Sequence, residues 1–246
     1  MSDRQPIFNV PGPVLALLAI MVLVHIVMQY LPEDEMLWWL TALAFVPARY
    51  AQGAGDLAGG EVASYTSFIT HQFVHGDIVH LSINGAWLLA FGTPLAKRLG
   101  WWRFLLLTFS CGIAGALTFL ALHYGLMAPV IGASGAIAGL MGAVLRFLFP
   151  AIDHHQGALL RDNPAAIPAM PLSVALQDRR VIGASLAFVA LNLLAIFGLG
   201  SPSGAGEIAW EAHLGGYFFG LLCFGLFDVA PLRSSPTPPQ SPSFSA

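Results

Sequence analysis

Four polar side chains stand near the beginnings of apolar stretches and could together carry out nucleophilic chemistry. Ser134 opens one stretch, His213 lies near the start of another, and His80 and Asn84 lie four residues apart in a third. A serine hydroxyl becomes a good nucleophile when a neighbouring base takes its proton, and histidine has a pKa suited to that transfer. Because residues four apart share a helix face, His80 and Asn84 could both donate hydrogen bonds to an oxyanion. The pattern predicts a Ser-His dyad with oxyanion donors.

Each of these residues also has a purely structural interpretation. A serine between glycines is often a packing residue in a membrane helix, and an asparagine often bonds across helices. Their shared depth favours catalysis, because all four lie roughly 20–25 Å above the inner boundary of a hydrocarbon core about 30 Å thick. Polar groups at membrane depth usually mark function. Glu211 lies two residues from His213 and so on another side of the helix, and we expect a dyad without a carboxylate.

The composition places most of the chain in lipid. Of the 246 residues, 57% are hydrophobic and only 9% are charged, with a mean hydropathy of +0.73, whereas soluble domains carry about 25% charged residues. The net charge of −3 argues against a nucleic-acid partner, which would require clustered Lys and Arg. Cys111 and Cys223 both stand in apolar runs and are expected to be small buried hydrophobes.

Six apolar stretches are long enough to predict membrane spans, and an all-α, six-transmembrane-helix bundle is the expected fold class because lipid offers no partners to unpaired backbone groups. The stretches are residues 13–31, 78–96, 101–124, 134–149, 181–199 and 208–227. The first is expected to be retained as a helix and not cleaved as a signal peptide. The predicted organisation is a cytoplasmic N-terminus (1–12), a membrane domain (13–230) and a disordered Ser/Pro-rich cytoplasmic tail (231–246).

Positive charges predict the orientation of these spans. With the N-terminus in the cytoplasm, every Lys and Arg except Arg49 falls on the inner side, as the positive-inside rule favours. Both termini are then cytoplasmic, and the helices that carry the polar residues begin at the outer face. Residues 32–74 are expected to form a semi-embedded outer loop. The glycine-rich loop 198–206 has few side chains to hold it still and could move as a lid.

The fourth stretch predicts how Ser134 is positioned. Residues 134–149 would make a helix of about 24 Å, too short to cross the hydrocarbon, so we expect it to begin inside the membrane after non-helical backbone. Small residues recur on the faces where this helix and the sixth could meet, which allows a close backbone approach. They are Gly135, Gly139, Gly142, Gly216 and Gly220. This approach would bring Ser134 within reach of His213.

Other polar residues are given structural roles. Asp77 is expected to cap the second span. His25, His123 and Asn192 are isolated polar residues in or beside the first, third and fifth spans, and the sequence shows no partner for any of them. A second set of histidines leaves a metal site open as an alternative, because imidazole is a good zinc ligand. These are His71, His75 and His80.

Taken together, these motifs resemble the rhomboid family of intramembrane serine proteases over roughly residues 10–230. The motifs are the spacing of His75, His80 and Asn84, the turn Gly132-Ala133-Ser134-Gly135, and His213 followed by Gly216 and Gly220. The resemblance implies Ser134 as nucleophile and His213 as general base. It implies His80 and Asn84 as oxyanion stabilisers with the Ser134 backbone N–H, with Gly132 and His75 supporting the site.

The same resemblance implies the reaction and its setting. Substrates would be single-span membrane proteins, cleaved in or near the membrane where the segment unwinds, with no cofactor and no metal. The expected location is a bacterial inner membrane, with the site opening to the outer side. Many family members carry an aromatic ring four residues after the nucleophile, where this chain has Ala138, so support for His213 must come from elsewhere or be weaker.

Two other functions remain open at this stage. One is a catalytically weak or inactive rhomboid-like protein that binds membrane clients, although the intact serine and histidine argue against it. The other is a small transporter lined by the same polar residues. The cytoplasmic halves of the helices offer no continuing polar track, which argues against transport.

Overall fold

The computed structural model describes residues 9–51, 57–194 and 209–228, and these are mostly helical, with no strand in the three ranges. The N-terminal residues 1–8, the whole of the glycine-rich loop 198–206 and the tail 231–246 lie outside them. The α-helices are α1 (Gly12–Tyr30), α2 (Glu33–Leu43), α3 (Gly60–Thr70), α4 (Ile78–Trp87), α5 (Thr93–Leu99), α6 (Trp101–Leu122), α7 (Ser134–Asp153), α8 (Gly157–Asp162), α9 (Leu172–Ala175), α10 (Arg179–Leu194) and α11 (Trp210–Phe227). A π-helical turn, Leu88–Gly92, joins α4 and α5 into one helix.

Within the described ranges, four helices are long and apolar enough to cross a membrane. They are α1, the continuous helix Ile78–Leu99, α6 and α7. The two remaining predicted spans correspond to α10, whose described part ends at Leu194, and α11, which carries Glu211 and His213 in its first turn. The six-span count therefore stays a prediction.

The helix α7 forms the centre of the bundle and packs closely against α11. A Cβ atom on Gly139 would lie 2.8 Å from the carbonyl oxygen of Gly216, and one on Gly220 would lie 2.5 Å from the carbonyl carbon of Gly139. Carbon contacts normally lie near 3.5–4.0 Å, so only glycine fits at these positions. The predicted close approach of the two backbones is confirmed.

The predicted end of α7 is wrong, because the helix continues through Pro150 to Asp153. Proline has no N–H with which to bond the carbonyl of Arg146 four residues earlier. The Met170 N–H donates to that carbonyl instead, at 2.7 Å, and the Arg146 guanidinium donates back to the Met170 carbonyl. At 20 residues, α7 is about 30 Å long, and it is not too short to span the hydrocarbon.

The predicted outer loop packs over the segment that leads into Ser134. Phe45 and Val130 exchange both backbone hydrogen bonds, at 3.0 and 2.8 Å, in an isolated antiparallel bridge. Arg49, the one cation predicted on this side, is only 1% exposed and donates to the Thr41 carbonyl. The loop is thus joined to the helical bundle by backbone hydrogen bonds.

The opposite end of the bundle is held by Arg98. Its guanidinium bonds both carboxylate oxygens of Asp228, at 3.0 and 2.8 Å, and also the carbonyls of Pro164 and Ile167. This single side chain connects α5, the segment after α8 and the end of α11. It fixes the end of α11 that lies farthest from His213.

Candidate active site

Ser134 is the first residue of α7 and follows a sharply turned backbone. Gly132 has φ +104°, a conformation that favours glycine, and its N–H donates to the His71 carbonyl at 2.9 Å. A Cβ atom here would also lie 2.6 Å from Nε2 of His80. Glycine is therefore required at position 132 both for the turn and for the approach of the histidine ring.

The start of α7 presents backbone donors beside the Ser134 hydroxyl. The bond from the Ile137 N–H to the Ala133 carbonyl closes the first turn. The N–H groups of the residues before Ile137 have no partner within the helix, and the helix dipole places positive charge at this end. An oxyanion forming here would meet hydrogen-bond donors and a favourable field.

The structure places Ser134 and His213 in direct contact. The serine Oγ lies 2.7 Å from Nε2 of His213, which stands in the first turn of α11. The contact follows from the glycine packing, because Gly135 and Gly216, each close to one of the two residues, lie backbone against backbone. This distance allows the hydroxyl proton to pass to the imidazole.

His213 has a second partner that the sequence interpretation missed. Its Nδ1 lies 2.8 Å from Oδ1 of Asn192 on α10, and the Asn192 amide nitrogen donates to the Phe188 carbonyl at 2.9 Å. Asn192 therefore has a partner that the sequence did not reveal. A signal was available, since an asparagine inside an apolar helix is itself a polar group at membrane depth. Asn192 thus makes a side-chain hydrogen bond to His213, which the Ala138 methyl group could not make.

His80 and Asn84 approach the same turn from α4. A Cβ atom on Gly132 would lie 3.4 Å from Nδ2 of Asn84, and closer still to the His80 ring. The Asn84 side chain is buried, and within the described part of the chain its Nδ2 has no hydrogen-bond partner. Buried donors are nearly always paired, so an unpaired donor beside the turn that leads into Ser134 is suited to bind a substrate oxygen.

The predicted cap at the start of α4 is confirmed. The Asp77 carboxylate accepts a hydrogen bond from the His80 backbone N–H at 2.8 Å. This bond fixes the first turn of α4 and with it the direction in which the His80 side chain leaves the helix.

His75 packs against His80. Its buried ring is centred 5.0 Å from the His80 ring, and its carbonyl accepts from Nδ1 of His25 at 3.2 Å. His25 therefore has a structural partner that the sequence did not reveal. His71 donates to the Ser67 carbonyl, and no three His, Cys, Asp or Glu side chains among the described residues are grouped to hold a metal ion.

Glu211 is occupied elsewhere. Its carboxylate lies 2.6 Å from Nε2 of His123 at the end of α6, so His123 also has a partner that was not expected. Glu211 is buried. The amide of Asn192, and not this carboxylate, is the group that meets Nδ1 of His213.

Comparison with known proteins places this site in a family. The Rhomboid domain profile matches residues 62–228, which include Ser134, His213, Asn192, His80 and Asn84. Rhomboid protein 1, mitochondrial, of Saccharomyces cerevisiae is 33% identical over 178 residues, covering 71% of this chain and 45% of the yeast protein. Rhomboid protease GlpG of Haemophilus influenzae is 27% identical over 214 residues, covering 87% of this chain and 89% of that protein.

A second bacterial relative matches a shorter region. Rhomboid protease GlpG of Serratia proteamaculans is 29% identical over 146 residues, covering 57% of this chain. The matched part spans 45% of the length of both the yeast and the Serratia protein. The domain match extends over more than half of the chain, and its apolar helices agree with a membrane location. The chain is an integral membrane protein and belongs to the rhomboid family.

Proposed function

We propose that this protein is an intramembrane serine endopeptidase that cleaves single-span membrane proteins in or near their transmembrane segments. The observation that carries the proposal is the 2.7 Å contact between the Ser134 hydroxyl and Nε2 of His213 at the start of a buried helix. Two of the relatives described above are themselves named rhomboid proteases, which supports the same reaction.

The first half of the reaction forms an acyl-enzyme. As His213 takes the hydroxyl proton on Nε2, the Ser134 oxygen attacks the substrate carbonyl carbon and the carbonyl oxygen becomes an oxyanion. The Ser134 N–H, the Asn84 amide and His80 are the candidate donors to that oxyanion. His213 then gives its proton to the leaving amine, and the peptide bond breaks.

The second half of the reaction releases the product. A water molecule attacks the ester carbon while His213 takes one of its protons, and the same donors stabilise the second oxyanion. The ester bond to Ser134 breaks, and the proton returns to the serine oxygen. One peptide bond and one water are consumed, and the protein ends unchanged.

The proposed substrates follow from the setting of the site. A peptide bond inside a regular helix is shielded by its own turns and backbone hydrogen bonds, so cleavage requires a segment that unwinds locally. Segments with helix-weakening residues such as glycine and proline meet this requirement most readily. The proposal includes six spans, both termini in the cytoplasm and a site open to the outer side of a bacterial inner membrane.

The test is cleavage of a single-span substrate by purified protein in detergent. Wild-type protein is expected to cleave it, and Ser134→Ala and His213→Ala are expected to lose activity while remaining folded. Ser82→Ala is the matched control, because Ser82 is exposed and its hydroxyl donates to the Ile78 carbonyl of its own helix. Cleavage by Ser134→Ala at the wild-type rate would refute the proposal, and substrate binding without cleavage by the wild type would favour a client-binding role.

A further inference from the structure

Asn192 is an unusual residue for the helix that carries it. Of the 16 described residues of α10, only Val181 and Asn192 are buried. The rest of the helix is exposed or half-buried, as expected for a helix that faces lipid on most sides. Burying an asparagine amide is unfavourable unless it is hydrogen-bonded, so its position beside His213 requires an explanation.

The hydrogen bonds of Asn192 fix which way its amide points. The Phe188 carbonyl can only accept, so the amide group that faces it at 2.9 Å is the nitrogen. The Asn192 oxygen then faces Nδ1 of His213 at 2.8 Å and must accept from it. Nδ1 therefore carries the proton, and Nε2 is left as the acceptor that faces the Ser134 hydroxyl.

This tautomer is the one that a general base needs. An imidazole with its proton on Nδ1 can remove the hydroxyl proton with Nε2, whereas the other tautomer cannot. When Nε2 takes that proton the ring becomes an imidazolium, and the bond from Nδ1 to the Asn192 oxygen becomes a charge-assisted one. The Asn192 amide thus favours the neutral tautomer with the proton on Nδ1 and also stabilises the imidazolium form of His213.

We propose that Asn192 is a positioning residue for His213, and that α10 must lie against α11 for the Ser134–His213 pair to act. This inference rests on the proposed function. It makes α10 part of the catalytic unit, because α10 supplies the acceptor that sets the His213 tautomer. The rest of this helix is largely exposed.

A second contact between α10 and α11 provides a control that distinguishes positioning of His213 from general helix packing. The Ser185 hydroxyl lies 2.7 Å from the hydroxyl of Tyr217, and Phe188 stacks on the Tyr217 ring with centroids 4.4 Å apart. The Ser185 bond also joins α10 to α11 but does not touch His213. Ser185→Ala is therefore the matched control for loss of one interhelical hydrogen bond.

The experiment compares Asn192→Leu, Asn192→Asp and Ser185→Ala in purified full-length protein, measuring kcat and KM on a single-span substrate. Leucine keeps the approximate size but removes the acceptor, so kcat is expected to fall about 10²-fold from loss of orientation. KM is expected to change by less than about threefold, because substrate binding is not the step affected. Aspartate keeps an acceptor oxygen and is expected to recover most of the lost kcat, and Ser185→Ala to retain the wild-type value.

Several results would overturn the inference. One is a wild-type kcat in Asn192→Leu, and another is a kcat in Asn192→Asp as low as that in Asn192→Leu. A third is a loss of kcat in Ser185→Ala equal to that in Asn192→Leu, which would assign the effect to helix packing. Ser134→Ala measured in parallel separates the two proposals. Activity in Ser134→Ala would refute the proposed function itself, whereas an inactive Ser134→Ala with a fully active Asn192→Leu would refute only the role of Asn192.

Discussion

Replacing Gly216 by alanine should separate the two helices that carry Ser134 and His213. A Cβ atom at Gly216 would lie 2.8 Å from the carbonyl carbon of Gly135 and 3.2 Å from the carbonyl oxygen of Cys111. Carbon atoms in contact normally lie about 3.5–4.0 Å apart, so α11 must move away by roughly 1 Å. Neither obstacle is a side chain that could rotate aside.

The size of the effect follows from that displacement. The Ser134–His213 contact is 2.7 Å, and adding roughly 1 Å takes it beyond hydrogen-bonding range. A misplacement of that size costs about 10²-fold in kcat. Overpacking of this kind also lowers the free energy of unfolding by about 1–3 kcal/mol, so the variant should be folded but slow.

The chain offers a matched control on the same helix. A Cβ atom on Gly225 meets nothing within 4 Å, and replacing an unobstructed helical glycine by alanine stabilises a helix by up to about 1 kcal/mol. The assay is kcat on a single-span substrate together with thermal unfolding, for both variants. Wild-type kcat in Gly216→Ala would refute the argument that backbone packing sets the pair, and an equal loss in Gly225→Ala would show that the clash is not the cause.

Three further predictions concern residues around the site and at the far end of the bundle. Asn84→Ala removes a candidate oxyanion donor and should lower kcat by about 10²-fold or less with little change in KM, measured by steady-state kinetics; an unchanged kcat would remove Asn84 from the site. Glu211→Ala removes the partner of His123, whose side chain is one-third exposed, and should lower the free energy of unfolding by about 0.5–1.5 kcal/mol, measured by denaturant titration in micelles; unchanged stability would contradict this. Arg98→Ala leaves the buried Asp228 carboxylate without its ion-pair partner and should destabilise by about 3–5 kcal/mol, while the protein that remains folded cleaves at the wild-type rate; a slower folded protein would show that this end of α11 controls the site.

Local features of the fold could be predicted from the sequence. The Asp77 cap depends on a neighbouring backbone N–H, and the glycine faces of α7 and α11 depend on a four-residue spacing, so both are visible in the residue pattern. The positions of Ser134 and His213 at the starts of their helices follow from the same patterns. Short-range rules were sufficient for these features.

Long-range compensation could not be predicted. A proline often ends a helix. At Pro150, however, the Met170 N–H replaces the missing donor to the Arg146 carbonyl, and the helix continues. Asn192 and His213 meet because α10 and α11 lie side by side. The positions of residues along the sequence do not show which helices are neighbours in the fold. The sequence showed that Asn192 was polar and at membrane depth, but not which residue it faced.

The most direct test of the central claim is to locate the reactive serine chemically. Wild-type protein in detergent would be treated with a fluorophosphonate, which phosphonylates an activated serine, and the modified residue identified by mass spectrometry. The proposed chemistry predicts a single adduct on Ser134 that is absent in His213→Ala, because the hydroxyl is unreactive without its base. An adduct on another serine, or undiminished labelling of Ser134 in His213→Ala, would contradict the proposed dyad.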